Sequence, residues 1–548
     1  MGFSNRSRNE AKETLTDSFD LVIIGGGITG AGIALDAVTR GLRVALFDMQ
    51  DFAAGTSSRS TKLVHGGLRY LKNFEIKMVA DVGKEREIVY QNGPHITTPE
   101  WMMLPFYEDG TFGSLTTNVG LRLYDFLAGV KKDERRQMLD KEETLTREPL
   151  LRREGLKGSG YYVEYKTDDA RLTMEVLKKA VEHGVSAFNY MKVKQFIYRD
   201  GKVVGVKVVD QLNGKSHEVH SEKVVNATGP WVDELRSKDN PALEKPLFHT
   251  KGVHLVFDYI VFPLTQAIYF DSPDGRMIFA IPRDGKTYVG TTDTAYEGDL
   301  AHPKATLEDR TYLMRAIHEM FPNVYVNEQD IESTWAGVRP LIQQSGKDPS
   351  EISRKDEIFI SDSNLISIAG GKLTGYRKMA QEVVDLVASQ LKEEKNRKIP
   401  ASKTKKMALA GGEVGGSKGF QAFKKKMLET GYPEEMLTRW LNRYGKNTEE
   451  LVKNYEMAVR EHVFLDADLW AELRYTLDHE AVYKPTDFFI RRTGALFFDI
   501  DFVKEHKEPV IREMQEYFGW TPEETKEYNN ELEREIYQAQ NPVVENEN

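Results

Sequence analysis

Residues 62–71, KLVHGGLRYL, bring His65, two glycines, Arg69 and Tyr70 into a stretch with no clear strand or helix period. A histidine titrates near neutral pH and suits proton transfer, and an arginine's planar fork suits phosphate or carboxylate oxygens. The same residues also fit an ordinary turn. A second group is more directive. Gly25, Gly27 and Gly30 form G-x-G-x-x-G, with Ile28 and Thr29 inside the pattern, and Asp48 closes the next apolar run. Such glycines permit a tight turn against a pyrophosphate, the following helix N-terminus favours negative charge, and Asp48 can accept hydrogen bonds from ribose hydroxyls.

Two further turns fit the same ligand. VVNATGPW ends an apolar run at Ala227-Thr228-Gly229, where the backbone can pass beside a nucleotide. SIAGGKLTGYRKMA, residues 367–380, supplies a strand, a Gly370-Gly371 turn and a helix start whose backbone N–H groups suit the pyrimidine side of a flavin. These residues call for an adenine dinucleotide and leave NAD and FAD both open.

The elements that must hold these turns follow from periodicity. Residues 19–48 spell strand, glycine turn, helix and strand, one complete βαβ unit. Residues 201–230 and 277–294 alternate apolar and polar positions around turn signals, with Asp284-Gly285 as a hairpin turn. From about Ala80 to Arg136 the pattern is mainly helical. The apolar run from Trp101 to Val130 within it has two readings, buried packing or a patch dipping into a membrane surface beside Lys131 and Lys132. The fold class expected is α/β plus α+β: a Rossmann-like dinucleotide domain, an antiparallel-sheet substrate domain and a mostly helical C-terminal domain. The expected boundaries are a loose N-terminal arm over 1–18, an oxidoreductase region over 19–393, a linker over 394–416 and a helical domain over 417–548. Within the second, the cofactor segments are about 19–80, 200–232 and 355–393, the substrate domain is interleaved, and an acidic tail frays from Glu523.

Composition narrows the chemistry. The 548 residues carry 75 Lys and Arg against 85 Asp and Glu, a formal charge of -10, so nothing general draws the chain to nucleic acid. With no cysteine there are no disulfides, thiol nucleophiles or Cys-held metals, and no metal site is read. Redox chemistry then needs an organic cofactor or a metal on N and O ligands. The polar first 18 residues lack a secretory signal, and a cytoplasmic location is expected.

The ordered set IIGGGITGAGIALDAVTRGL, TSSRSTKLVHGGLRYL, VNATGPW, KGVH, VGTTDT, WAGVRPL and GGKLTGYRKMA resembles the FAD-dependent glycerol-3-phosphate dehydrogenase family, itself similar to the glycine-oxidase and D-amino-acid-oxidase flavoproteins. The likeness is tight over residues 20–385 and looser beyond. It implies FAD as cofactor and oxidation of sn-glycerol 3-phosphate to dihydroxyacetone phosphate. It further implies electrons passed to a membrane quinone by a protein peripheral on the inner face of the cell membrane; a homodimer is allowed for.

By that resemblance, Arg69, Arg339 and Arg354 are the phosphate cations, with Tyr70 as an added hydroxyl donor. His65 and His254 are equal candidates for the base. Lys372 and Thr374 begin the last motif helix, where a lysine can hold substrate or steady negative charge on the flavin. Ser57, Ser58, Ser60, Thr61 and Lys62 are expected to lie against FAD, as are Gly370, Gly371 and Leu373. Asp48 stands where a glutamate is commoner in related flavoproteins. Three other functions are kept open: an oxidase for the same substrate that reduces oxygen to hydrogen peroxide, an amine or amino-acid oxidase, and a flavin-binding interaction protein without turnover.

Overall fold

In the computed structural model, which describes residues 3–65, 76–108, 110, 134–243, 245–272, 274–343 and 355–543, the apolar run Phe19–Ile24 is a strand at the heart of the first sheet. Ile23 lies between Val225 and Leu46 of its two parallel neighbours, and all three side chains are sealed from water. A strand covered on both faces has no polar side to present, which is why this run is apolar without alternation. The sheet runs Glu357–Ile360, Ile366–Ala369, Ser216–Asn226, Phe19–Ile24, Val44–Phe47, Ser186–Phe188. Along this path the pairings are parallel except at Glu357–Ile360, and Lys202–Asp210 and Met191–Arg199 extend the sheet antiparallel from Ser216–Asn226. Helices Ile28–Thr39 and Tyr376–Lys395 cover one face and meet at Gly32, where a Cβ would sit 3.0 Å from the Tyr376 ring.

A second sheet of ten strands among the described residues centres on Thr97–Tyr107, paired with Leu156–Thr167 on one side and Ala267–Asp271 on the other. Met277–Arg283 and Lys286–Gly290 form the hairpin that Asp284-Gly285 predicts, both turn residues having positive φ. Leu247–Asp258 pairs along its whole length with Ile331–Ile342. The helices from Gly416–Leu428 to Pro522–Gln540 complete the mixed architecture expected, a parallel sheet, an antiparallel sheet and a mostly helical C-terminal region. That region is not detached. Its Phe497 and Phe498 rings pack 5.3 and 5.6 Å from Trp335 in the second sheet.

Three expectations are corrected. Among the described residues of 80–136 the chain is not mainly helical: the helix Ile76–Asn92 gives way to the strand Thr97–Tyr107, in which Met102, Met103, Leu104 and Phe106 are buried. Large apolar residues occur on alternate faces there because both faces are covered, so this part of the apolar run is core, while 111–133 lie outside the described residues. The N-terminal arm is docked. Asn5 Nδ2 donates to Ala481 O, Arg6 Nη2 to Tyr517 O at 3.0 Å, and Arg8 Nη1 to Asn189 Oδ1 at 3.1 Å. Leu15 is buried behind them. The acidic tail forms the helix Pro522–Gln540, capped by Thr521 and Glu524 and seated through Tyr528, Leu532, Ile536 and Ala539. Some of its charges reach inward as well, Glu531 accepting from Lys484 Nζ at 2.7 Å and Glu533 pairing with Lys507.

Candidate functional site

Four parallel strands of the first sheet end on one edge, and the residue after each end lines a single cleft: Gly25 after Ile24, Asp48 after Phe47, Ala227 after Asn226 and Gly370 after Ala369. Ligands of open α/β sheets bind at this edge because loops and helix N-termini converge there. The opposite wall comes from the second sheet, including Leu63, Tyr162, Tyr269, Phe279 and Arg339.

On the first-sheet side the glycines do different work. Gly25 has φ of +109°, and a Cβ there would stand 2.5 Å from Ala227 O. Gly30 lets the helix settle on the turn, since a Cβ would run into Gly25 O. Gly27, Ile28 and Thr29 line the cleft, and the Ile28 N–H donates to Ser57 Oγ at 3.0 Å. Asp48 is held ready for a ligand by two backbone donors, Gly26 N–H at 2.6 Å and Gln50 N–H at 2.8 Å. Burial pushes its carboxyl up to about 6; those two donors and Arg491 work against the rise, while the Asp51 charge adds to it.

On the second-sheet side Arg339 is aimed by three acceptors. Nη1 donates to Thr292 O at 3.2 Å and to Asp293 Oδ1 at 3.0 Å, and Nη2 to Thr291 Oγ1 at 3.0 Å. The strand pairing puts Gly252 opposite Gly337 beside it. Both must be bare: a Cβ on Gly252 would lie 2.5 Å from Arg339 Nη2, and one on Gly337 would strike Arg59 O. His254 is buried, stacks on Trp335 at 4.6 Å and 11°, and shares a 3.0 Å hydrogen bond with Thr61 Oγ1. Burial, then the charges of Arg339 and Lys62, hold its pKa well below the usual imidazole value, so the ring is neutral. His65 is partly exposed in the cleft, edge-on to Phe279 at 6.0 Å. Thr374 Oγ1 donates to His65 O at 3.2 Å, tying the opening stretch to the last motif, whose Lys372 lines the same cleft.

The expected site residues therefore divide. Gly25, Gly27, Ile28, Thr29, Asp48, Ser57, Ser60, Thr61, Ala227, Thr228, Gly229, Gly370, Gly371, Leu373 and Thr374 meet in one cleft with His65, His254, Arg339 and Lys372. Arg69, Tyr70 and Arg354 lie outside the described residues. Lys62, Ser58 and Gly30 stand behind the lining. Lys62 Nζ is 2.6 Å from Asp169 Oδ1 and donates to Ser58 O at 3.0 Å, so its charge is spent pinning this segment to helix Asp169–Glu182. The wall residues Tyr162, Glu164, Tyr269 and Phe279 had no sequence signal beyond strand alternation. Arg59, Gly252, Thr291 and Gly337 sat inside quoted motifs without an assigned role. Burial lowers the pKa of the Arg59 guanidinium, which also lines the cleft.

The donor set fits a flavin dinucleotide. A turn with no room for side chains at Gly25 or Gly30 faces a carboxylate already supplied with two N–H groups, and the cleft continues into an aromatic wall that a ring system can occupy.

A family described as FAD dependent oxidoreductase matches residues 20–376, and one described as the C-terminal domain of alpha-glycerophosphate oxidase matches residues 402–525. The aerobic glycerol-3-phosphate dehydrogenase of Bacillus subtilis (strain 168) is 57% identical over 548 residues, 99% of each chain. That of Staphylococcus aureus (strain USA300) is 54% identical over 547 residues, 98% of each. Among solved structures, the glycerol-3-phosphate dehydrogenase from Bacillus halodurans complexed with FAD superposes with a TM-score of 0.85 at 48% identity, covering 99% of both chains. The L-alpha-glycerophosphate oxidase from Mycoplasma pneumoniae with FAD bound shares the fold alone, at a TM-score of 0.56 and 18% identity over 71% of this chain and 97% of its own.

Proposed function

The chain belongs to the FAD dependent oxidoreductase family and, within it, to the aerobic glycerol-3-phosphate dehydrogenases, and from that premise we propose that it oxidises sn-glycerol 3-phosphate to dihydroxyacetone phosphate. The observation that carries this reading is the shared cleft: a dinucleotide turn, Asp48 and Lys372 on the first-sheet side, with Arg339 and His65 from the other. FAD, when bound, supplies the acceptor for the hydride that leaves the carbinol carbon.

The chain's own residues do the rest. Asp48, Gly25, Gly27 and Ala227 hold the dinucleotide, and Gly370 and Gly371 turn backbone N–H groups toward the flavin end. Arg339 binds the phosphate, its fork held by Asp293 and Thr291; Arg69 and Arg354 are assigned the same duty. His65 takes the hydroxyl proton on an imidazole nitrogen. His254 is the poorer base, because a proton on it would be buried beside the charges of Arg339 and Lys62; it orients groups as a neutral ring. Lys372 offers positive charge where negative charge develops.

Electrons leave to a membrane quinone, and attachment is peripheral: no helix among the described residues is long and apolar enough to cross a membrane. The oxidase-type C-terminal match supports a second reading in which oxygen is the acceptor. Purified holoprotein mixed anaerobically with glycerol 3-phosphate should lose its flavin absorbance. A quinone analogue should then restore it faster than oxygen. Flavin that stays oxidised overturns the dehydrogenase reading, and stoichiometric peroxide with no quinone reduction moves the assignment to the oxidase.

A further inference from the structure

The loop after Asp48 is fastened from a part of the chain that takes no place in the cleft. Met49, Gln50 and Ala54 line the cleft, while Asp51 in their midst turns away from it and is buried. Both oxygens of Asp51 are taken by the C-terminal region. Oδ2 accepts from Arg491 Nε at 2.6 Å and Arg492 Nη1 at 2.8 Å, and Oδ1 from Arg492 Nη2 at 2.9 Å and Asn189 Nδ2 at 3.0 Å. The two arginines lie on a π-helical turn, Asp487–Arg492, a rare geometry that sets consecutive guanidinia on one target. Their remaining contacts hold them rigid: Arg491 Nη2 to Asp487 Oδ1 at 2.6 Å, and Arg492 Nη2 to the carbonyl of Glu480 at 2.7 Å. Asp487 is itself held by Tyr190 OH at 2.6 Å and by the N–H groups of Tyr483 and Lys484.

We propose that Arg491 and Arg492 are positioning residues for the cofactor, fixing through Asp51 the loop from Asp48 to Ala54 and so setting the affinity for FAD. This rests on the reading that FAD's ribose lies at Asp48. A buried carboxylate with three guanidinium bonds cannot shift without leaving a charge unpaired, and from Asp51 the restraint passes over three residues to the Asp48 carboxylate. The Arg491 charge reaches Asp48 too and favours its ionised, hydrogen-bond-accepting form. The C-terminal region thereby contributes to a site that it does not line.

The test is FAD titration of apoprotein, followed by flavin absorbance, for wild type, Arg492→Lys, Asp51→Asn and two controls. Arg492→Lys keeps the charge and loses the two-pronged contact. Both it and Asp51→Asn should raise the FAD dissociation constant by about tenfold to a hundredfold, as removing the outer partners of a binding group does. At saturating FAD, kcat and the KM for glycerol 3-phosphate should stay at wild-type values. Thr334→Val, which removes the Thr334–Ala539 hydrogen bond between the second sheet and the C-terminal region, should lower thermal stability and leave FAD affinity unchanged. Asp48→Ala checks the underlying site: if it binds FAD as wild type does, the ribose assignment falls. If it loses FAD while Arg492→Lys and Asp51→Asn do not, only the positioning role falls. Equal loss of FAD in Thr334→Val would mean general loosening and would also overturn the role. A readout independent of folding of the variants is hydrogen exchange of wild-type protein. By reciprocity of linkage, FAD must slow exchange at Phe488–Thr493, and unchanged exchange there refutes the coupling.

Discussion

Replacing Arg339 with methionine separates substrate binding from cofactor binding. The methionine keeps an apolar stem on the bare strip at Gly252 and removes the guanidinium that Thr291, Thr292 and Asp293 now hold. A hydrogen bond to a charged group is worth about 1.5–3 kcal/mol, and a guanidinium offers a phosphate two of them, a gross gain of about 3–6 kcal/mol. Asp293, 3.0 Å from Nη1, already neutralises part of the charge. The lower end therefore applies, about 3 kcal/mol, or roughly a hundredfold in kcat/KM. The assay is dye reduction by holoprotein with glycerol 3-phosphate and, in parallel, with glycerol, which lacks the phosphate. Activity toward glycerol and the flavin content should both match wild type. A fall of less than about threefold, or an equal fall for both substrates, would remove Arg339 from the phosphate site. Loss of flavin would make it structural. Adding Asp293→Asn relieves the carboxylate left behind and should not restore activity.

Three other outcomes are expected. Gly252→Ala pushes a methyl against Arg339 Nη2, so KM for glycerol 3-phosphate should rise while flavin content holds; steady-state kinetics that match wild type would contradict the geometry. With Asp48 raised to about 6, the folded apoprotein keeps a proton that the unfolded chain has lost, so this contribution to stability is full below about pH 4 and disappears as the pH rises to about 6. Ribose hydroxyls donate to the ionised form, so FAD affinity should climb as the pH passes through about 6, and an Asp48→Asn variant with the same pH slope would refute the assignment. Glu85 accepts from Arg377 Nε at 2.7 Å and Nη2 at 2.5 Å, both residues being buried. Glu85→Ala removes that guanidinium's carboxylate and leaves it only Gln381 and Thr404 among the described residues, which should cost about 3 kcal/mol in denaturant unfolding; an unmoved midpoint counts against it.

The dinucleotide turn was legible because its causes are local. Gly30 is dictated by Gly25 O within the same βαβ unit, Gly25 by its own φ of +109° as well as by the distant Ala227 O, and Asp48 follows its strand directly. The second wall was not legible from periodicity, since a strand pattern does not say which face meets a cleft. Tyr162 and Glu164 differ from Val163 and Tyr165 only by alternation, and which pair lines the cleft is decided by pairing with Leu63–Val64, about a hundred residues away in sequence. Lys62 shows the opposite failure. It sits in a motif beside functional residues, yet a buried carboxylate on a distant helix claims its charge. Composition misled at both ends. Polar, charged residues suggested loose termini, but a few well-spaced side chains, Leu15 in one and Leu532 in the other, are enough to seat them.

The docked N-terminal segment also sets an order for assembly. Asn5 closes its bond onto Ala481 across 476 residues of chain, and at about 5–20 residues per second a ribosome needs roughly half a minute to a minute and a half to span them. Through that interval the segment can hold Asn189 through Arg8, but its C-terminal anchors at Ala481 and Tyr517 do not yet exist. Leu15 and its neighbours must wait on a partly built first sheet, and the contacts to Ala481 and Tyr517 join material made early to material made late.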